Sequence, residues 1–294
     1  MPTSMPRMMY GTAWKGPRTA SLVVDAVLSG FRGIDTACQP KHYHQPGVGE
    51  ALKTLNNEHG IRREDLFLQT KFTALGGQDL GRPLPYDRDA PLAEQVRQSV
   101  ATSLHELGTS YLDSLVLHSP MSTQKEHQEV WGQFEAFVRE GKVLQIGLSN
   151  IYDAEHLEWI FETASIKPTV IQNRFYADVE YGRDILALCA KHGAKFQSFW
   201  TLTGNPQLLR SPLLARLSSS HSLPSPSAAF FLSLLRQTRF GRGTIVPLNG
   251  TTSKAHMEEA TELVRRVEAE EGDEEGRERT LSEEEGELER VLWG

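Results

Sequence analysis

Phe31–Leu52 reads FRGIDTACQPKHYHQPGVGEAL, and the fold turns on how that stretch is parsed. A short apolar strand ends on an acid at Ile34-Asp35. A polar loop carrying Tyr43 follows, and Gly47-Val48-Gly49-Glu50 then opens a helix over Gly49–Leu55. In an α/β barrel, an Asp at a strand end and a Tyr on the next loop face the same cleft. Alone the pair is not chemistry, because an Asp at a strand end caps a turn or helix at least as often as it catalyses. Two further strands that close on polar residues shift the balance: LFLQT runs into Lys71 and YLDSLVL into His118.

Outward from that stretch, strand patterns at Met8–Ala13, Leu66–Thr70, Tyr111–Leu117, Val143–Leu148, Thr169–Gln172, Lys195–Phe199 and Thr244–Pro247 join Gly33–Asp35. They alternate with helical periodicity at Ala20–Leu28, Gly49–Leu55, Leu92–Leu107, Gln124–Arg139, Ala154–Ala164, Asp184–His192, Ser227–Arg236 and Ser253–Val267. This rhythm predicts an α/β fold, a (β/α)8 TIM barrel forming one domain over residues 1–294. An open doubly wound sheet would carry a GxGxxG turn after its first strand, and none is present. Phe72–Pro91 is too long and too rich in Gly and Pro for a plain connection, which suggests a loop lying over the strand ends. Trp200 to Pro226 reads as a second loop-rich stretch.

The formal charge of −7 is unevenly spread, since residues 268–290 hold twelve acids and three arginines, net −9, leaving about +2 elsewhere. So neutral a body gives no electrostatic case for a nucleic-acid face or an acidic membrane surface, and neither partner is expected. Residues 268–281 read as a solvated acidic insert, after which Ser282 and Glu285 form a capping box that opens a short terminal helix. Cys38 and Cys189 make neither a disulfide framework nor a metal pattern, and their plain reading is two reduced thiols. MPTSMPRMMYG lacks a signal-like apolar run, so the expectation is a soluble, cytoplasmic protein, a monomer or weak homo-oligomer.

At the predicted strand ends lie Asp35, Lys71, His118, Ser149, Asn150, Gln172 and Phe199, with Tyr43 on the second loop. No metal is expected, because His118 lacks a second ligand at metal spacing and Lys71 neutralises Asp35. Ser149 lacks a nucleophile elbow, which argues against covalent catalysis. A Tyr, a Lys, an Asp and a His in one cleft suit proton donation to a carbonyl oxygen. The ammonium is expected to lower the phenol's pKa, the Asp to orient the ammonium, and the imidazole to share the developing oxyanion. The bland alternatives are a packing aromatic for Tyr43, a surface lysine for Lys71 and a core histidine for His118. Trp14 and Trp200 are read either as the rim of a substrate mouth or as buried area.

The chain resembles the aldo-keto reductase superfamily. The resemblance rests on GFRGIDTA at Gly30–Ala37, Tyr43 with VGEAL at Val48–Leu52, and LFLQTKF at Leu66–Phe72. It continues through YLDSLVLHSP at Tyr111–Pro120, GKVLQIGLSN at Gly141–Asn150 and PTVIQNRF at Pro168–Phe175. It implies a barrel that binds NADP(H) in extended form and transfers hydride to a small-molecule aldehyde or ketone. By motif position it makes Tyr43 the general acid, Lys71 and Asp35 its tuning pair, and His118 the group that orients the carbonyl. It places Ser149, Asn150 and Gln172 on the carboxamide, Phe199 on the nicotinamide ring and Thr36 beside it. Leu248, Asn249, Thr251, Thr252, Ser253 and Lys254 fall where the family grips the adenosine phosphate. The family's frequent Pro-Lys-Ser is here Pro247-Leu248-Asn249, so NAD(H) stands as the alternative cofactor. His44-Gln45 replaces a common Asn-Glu, and the loop after Phe199 differs from the longer form of many relatives. The rival reading is a nicotinamide-nucleotide-binding regulatory or scaffold protein that turns over slowly.

Overall fold

The computed structural model describes residues 4–273 and 281–294. Among these, eight parallel strands run in sequence order: β1 (Met9–Gly11), β2 (Gly33–Asp35), β3 (Phe67–Phe72), β4 (Leu112–Leu117), β5 (Val143–Ser149), β6 (Val170–Arg174), β7 (Lys195–Phe199) and β8 (Ile245–Asn249). Each bonds to the next, and β8 closes on β1 through Met9–Leu248 and Tyr10–Asn249. The (β/α)8 TIM barrel expected from the alternation is therefore the fold. Every residue of β3 and β4 is buried, as a strand covered on both faces requires, and the largely apolar run Leu115–Leu117 at the end of β4 follows from this.

The helices are α1 (Thr19–Ser29), α2 (Gln45–His59), α3 (Leu92–Leu107), α4 (Gln124–Arg139), α5 (Ala154–Thr163), α6 (Arg183–His192), α7 (Pro206–Leu209), α8 (Pro212–Ser220), α9 (Pro226–Arg236), α10 (Lys254–Asp273) and α11 (Glu283–Trp293). Among the described residues, no helix is long and apolar enough to cross a membrane. α2 begins four residues before the expected Gly49, because Pro46 fits the first helical turn, where its missing N–H is not needed. A Cβ at Gly49 would lie 2.0 Å from the carbonyl oxygen of Glu106. Gly49 therefore serves the close packing of α2 on α3, while a Cβ at Gly47 would meet His44 and Thr19 of α1. The Trp200–Pro226 stretch is less loop-like than its composition suggests. Pro206 and Pro212 each start a helix there, and Ser211 caps α8.

The barrel interior is layered. Met9, Phe67 and Val246 fill the lower end, with Met5 packed beneath them. Above lies a polar layer in which Gln69 and Gln172 both donate to Gln197 Oε1, at 2.6 and 2.8 Å, and both also donate to Asp35 Oδ1. A buried amide layer of this kind is tolerated because its donors and acceptors satisfy one another.

The acidic stretch needs a correction. Its first part is helical, since α10 continues to Asp273, and Glu270 and Glu271 are held by basic partners. Arg236, 6% exposed, donates from Nε to Glu270 Oε2 at 2.8 Å and reaches Glu285 at 3.5 Å. Arg266 meets Glu270 at 3.2 Å, and Arg7 pairs with Glu271. The acids thus clamp α10 and α11 onto α9 and the N-terminal segment. Residues 274–280 of the expected linker lie outside the described residues. The terminal helix opens on the expected capping box, with Ser282 Oγ accepting from the Glu285 N–H at 3.2 Å.

Candidate active site

At the C-terminal ends of the strands lies a cavity of about 1070 Å³, lined by residues from every side of the barrel mouth. Asp35 reaches its floor, and Lys71 is fully buried behind it. The Lys71 ammonium is held by Asp35 Oδ1 and Oδ2, both at 2.7 Å, and by the Thr36 carbonyl at 2.8 Å. Three donors meet three acceptors in a site with side-chain exposures of 0% and 2%. Burial alone would lower the ammonium's pKa. The Asp35 charge overcomes this, and the net direction is upward.

Tyr43 lies above that pair, with Lys71 Nζ 5.0 Å from its ring centroid. Its loop is registered by the next residues. Buried Gln45 donates to Glu106 at 2.8 Å and to Ser103 at 3.3 Å, and accepts from Thr70. The His44-Gln45 departure therefore brings its own anchor. The pKa of Tyr43 is raised: burial pushes it up, the Lys71 charge pulls it back, and Asp35 adds a smaller upward push. This corrects the expectation of a lowered value. The lysine offsets desolvation without overcoming it, and the phenol stays protonated through neutral pH.

His118 follows β4, its ring 6.0 Å from that of Tyr43 and near-perpendicular to it. Thr73 Oγ1 lies 2.7 Å from Nδ1. Thr73 is itself held by Tyr86, whose hydroxyl donates to its carbonyl at 2.7 Å, and by Gln78 at 3.2 Å. The long loop after β3 thus braces the imidazole from behind. Burial, with the charges of Lys71 and His42, lowers the His118 pKa to about 3, so the ring is neutral at physiological pH.

Ser149, Asn150, Gln172, Phe199, Leu248, Asn249 and Thr251 also line the cavity. Ser149 donates to the Gln172 carbonyl at 2.7 Å, and Asn150 donates to the His118 carbonyl at 2.9 Å. Gln172 Nε2 is committed to Asp35 and Gln197, which leaves Oε1 as its remaining side-chain acceptor. Thr36, Thr252, Ser253 and Lys254 are not part of the wall. Thr36 is fully buried behind Asp35, and Ser253 Oγ accepts from the His256 N–H in the first turn of α10. Lys254 is exposed. Trp14 and Trp200, 73% and 49% exposed, stand on the rim, as the mouth reading expects. Burial pushes the Cys38 thiol up to about 11 and raises that of Cys189 as well, so both behave as small apolar residues.

Two cations in the wall escaped the sequence reading. Lys15, only 8% exposed, donates to the Gly250 carbonyl at the end of β8. Arg174 stands two residues after Gln172 on β6, and the period of two along a strand places both on one face. That alternation was the signal available in the sequence.

The pieces fit a dinucleotide. The cavity extends from Asp35 to Glu259, Ala260 and Leu263 on α10, with an aromatic ring, hydroxyl and amide groups at one end and a buried lysine in its wall. The comparisons with known proteins agree with the fold and the family resemblance. The Aldo/keto reductase family model matches residues 8–211. An uncharacterized oxidoreductase, YtbE of Bacillus subtilis (strain 168), is 30% identical over 208 residues, spanning 71% of this chain and 67% of its own. A glyoxal reductase of the same organism is 28% identical over 207 residues, covering 70% and 66%. The chain thus spans about two thirds of these relatives' length. The silkworm (Bombyx mori) aldo-keto reductase AKR2E5, in a structure complexed with NADPH, superposes with a TM-score of 0.73 at 21% identity, covering 99% of this chain and 84% of that one. The chain belongs to the aldo/keto reductase family.

Proposed function

We propose that this protein reduces an aldehyde or ketone to an alcohol, using a reduced nicotinamide dinucleotide and Tyr43 as the proton donor. The observation that carries the reading is the Tyr43 ring beside the His118 imidazole on the wall of one cavity, with Asp35 at its floor and Lys71 buried behind Asp35. When bound, the dinucleotide supplies a hydride to the carbonyl carbon. The oxygen then carries developing negative charge and takes the Tyr43 proton. Lys71 lies near enough to stabilise the phenolate left behind, and Asp35 holds that ammonium in place. With Nδ1 engaged by Thr73, His118 has Nε2 left to hydrogen-bond the carbonyl oxygen, and a neutral ring does not compete with Tyr43 as the acid.

Ser149, Asn150 and Gln172 would hold the carboxamide, Phe199 the ring, and Lys15 a phosphate. The cavity end near α10 is lined by Ser225, Ser227, His256 and Glu259, with Ser225 donating to Glu259 at 2.9 Å. Among the described residues, no Lys or Arg lines the cavity at that end, so NADPH and NADH are both accepted, with a modest preference. The likeness to a glyoxal reductase supports small aldehydes among the substrates. The test is loss of reduced-nicotinamide absorbance with a panel of aldehydes and ketones, run with each dinucleotide. Turnover on the panel is the expected result. Tight dinucleotide binding with no turnover on any member would replace this reading with the regulatory one.

A further inference from the structure

Five arginines are buried or partly buried among the described residues, and four of them meet a carboxylate. Arg7 pairs with Glu271, Arg63 with Asp113 at 2.6 Å, Arg236 with Glu270 and Glu285, and Arg266 with Glu270. Arg174 is the fifth. It has no ion pair among the described residues, and its Nε is buried with no hydrogen-bond partner. Its guanidinium lies 4.6 Å from the ring centroid of Trp200 and 5.8 Å from that of Phe199, contacts that orient the group without neutralising it. The two carboxylates in the cavity wall are already engaged, Asp35 by Lys71 and Glu259 by Ser225. A partly desolvated guanidinium facing a cavity, beside the Tyr152 hydroxyl but with no acid among the described residues to neutralise it, is suited to a ligand carboxylate or phosphate.

Its place relative to the reacting groups narrows the ligand. The Arg174 N–H donates to the Tyr152 hydroxyl at 3.2 Å, Tyr152 donates to Asn150 Oδ1 at 3.3 Å, and Asn150 donates to the His118 carbonyl at 2.9 Å. This chain of contacts ties Arg174 to the side of the cavity that carries His118, whereas Lys15 lies at the end of β8. Since β5 separates β4 from β6, the two backbones are about 10 Å apart. We propose that Arg174 anchors the carboxylate of a carbonyl substrate whose acid group lies several bonds from the reacting carbon, as in an ω-oxo acid or a formylbenzoate. The proposal rests on the reductase reading for the carbonyl half of that substrate. A cofactor phosphate is the other source of the same anionic chemistry.

The test compares 4-formylbenzoate with its neutral methyl ester in wild type, Arg174→Met and Arg174→Lys. Calorimetric binding of 4-(hydroxymethyl)benzoate and dinucleotide affinity are measured alongside. Arg174→Met should lower kcat/KM for the acid by roughly 10- to 100-fold, the range of a hydrogen bond to a charged group. Its effect on the ester should stay within about twofold, with Arg174→Lys in between and dinucleotide affinity unchanged. Equal losses on acid and ester, or no loss on either, would overturn the proposal, as would a loss confined to dinucleotide affinity. If neither aldehyde is reduced but 4-(hydroxymethyl)benzoate binds in an Arg174-dependent way, the anchor stands and the reductase reading falls.

Discussion

Removing Lys71 tests whether the floor of the site behaves as one buried ionic unit. In Lys71→Met, Asp35 loses the contacts of both oxygens with the ammonium and keeps the donors of Gln69 at 2.7 Å and Gln172 at 3.0 Å. The Thr36 carbonyl loses its donor as well. Hydrogen bonds to charged groups contribute about 1.5–3 kcal/mol each, so the three contacts set the upper bound. Breaking a buried pair from one side costs about 3–5 kcal/mol, because the remaining charge stays buried. The expected loss for Lys71→Met lies in that range. Asp35→Asn also destabilises, by stranding the ammonium. The double variant Asp35→Asn/Lys71→Met carries no uncompensated charge and should fall short of the summed losses by about 2 kcal/mol, within the range found for contacting residues. Urea unfolding of all four proteins closes the cycle. Single losses below about 1 kcal/mol with no coupling would match a solvated surface pair and refute the reasoning.

Leu248→Lys restores a cation beside the α10 end of the cavity. It should tighten NADPH about tenfold while leaving NADH nearly unchanged, measured by quenching of protein fluorescence. His127, 2% exposed and stacked on Trp131 at 5.7 Å, has its pKa lowered by burial from 6.5 to about 4. The unfolded chain therefore binds this proton first as pH falls, and stability is lost between pH 6.5 and about 4, by roughly 3 kcal/mol in all. Urea midpoints across that window should fall more steeply for wild type than for His127→Phe, and parallel curves would contradict the assignment. Arg236→Met leaves Glu270 and Glu285 without their shared partner and should destabilise by about 3 kcal/mol. Cutting the exposed Arg265–Glu262 pair should cost less than about 1 kcal/mol, and equal effects in thermal unfolding would refute the clamp.

Where local chemistry fixes an element, the sequence was enough. α3 ends at Gly108, whose left-handed backbone stops the helix, and α4 opens on the Thr123–Glu126 capping box. Both helices have the bounds their periodicity implied, as does β7. α10 was read too short because its extra turns depend on a partner distant in sequence, Arg236 for Glu270, and the early start of α2 rests on Ser103 and Glu106 holding Gln45 as well as on Pro46. At the site, strand ends gave the positions of Asp35, Lys71 and His118, but not the protonation of Tyr43. That depends on how far burial outweighs the Lys71 charge, a balance no residue pattern carries. Lys15 and Arg174 look like ordinary surface cations until the barrel closes around them.

The central claim, that Tyr43 delivers the proton, is tested most directly by Tyr43→Phe assayed beside wild type for dinucleotide-dependent aldehyde reduction, with dinucleotide affinity measured in parallel. The account predicts a fall in kcat of at least about 100-fold, the scale of general acid catalysis, with affinity unchanged. It also predicts that wild-type reduction holds from neutral pH up to about 10, since the phenol's pKa is raised above its usual 10.0. A phenylalanine variant that reduces aldehydes at the wild-type rate would contradict the account.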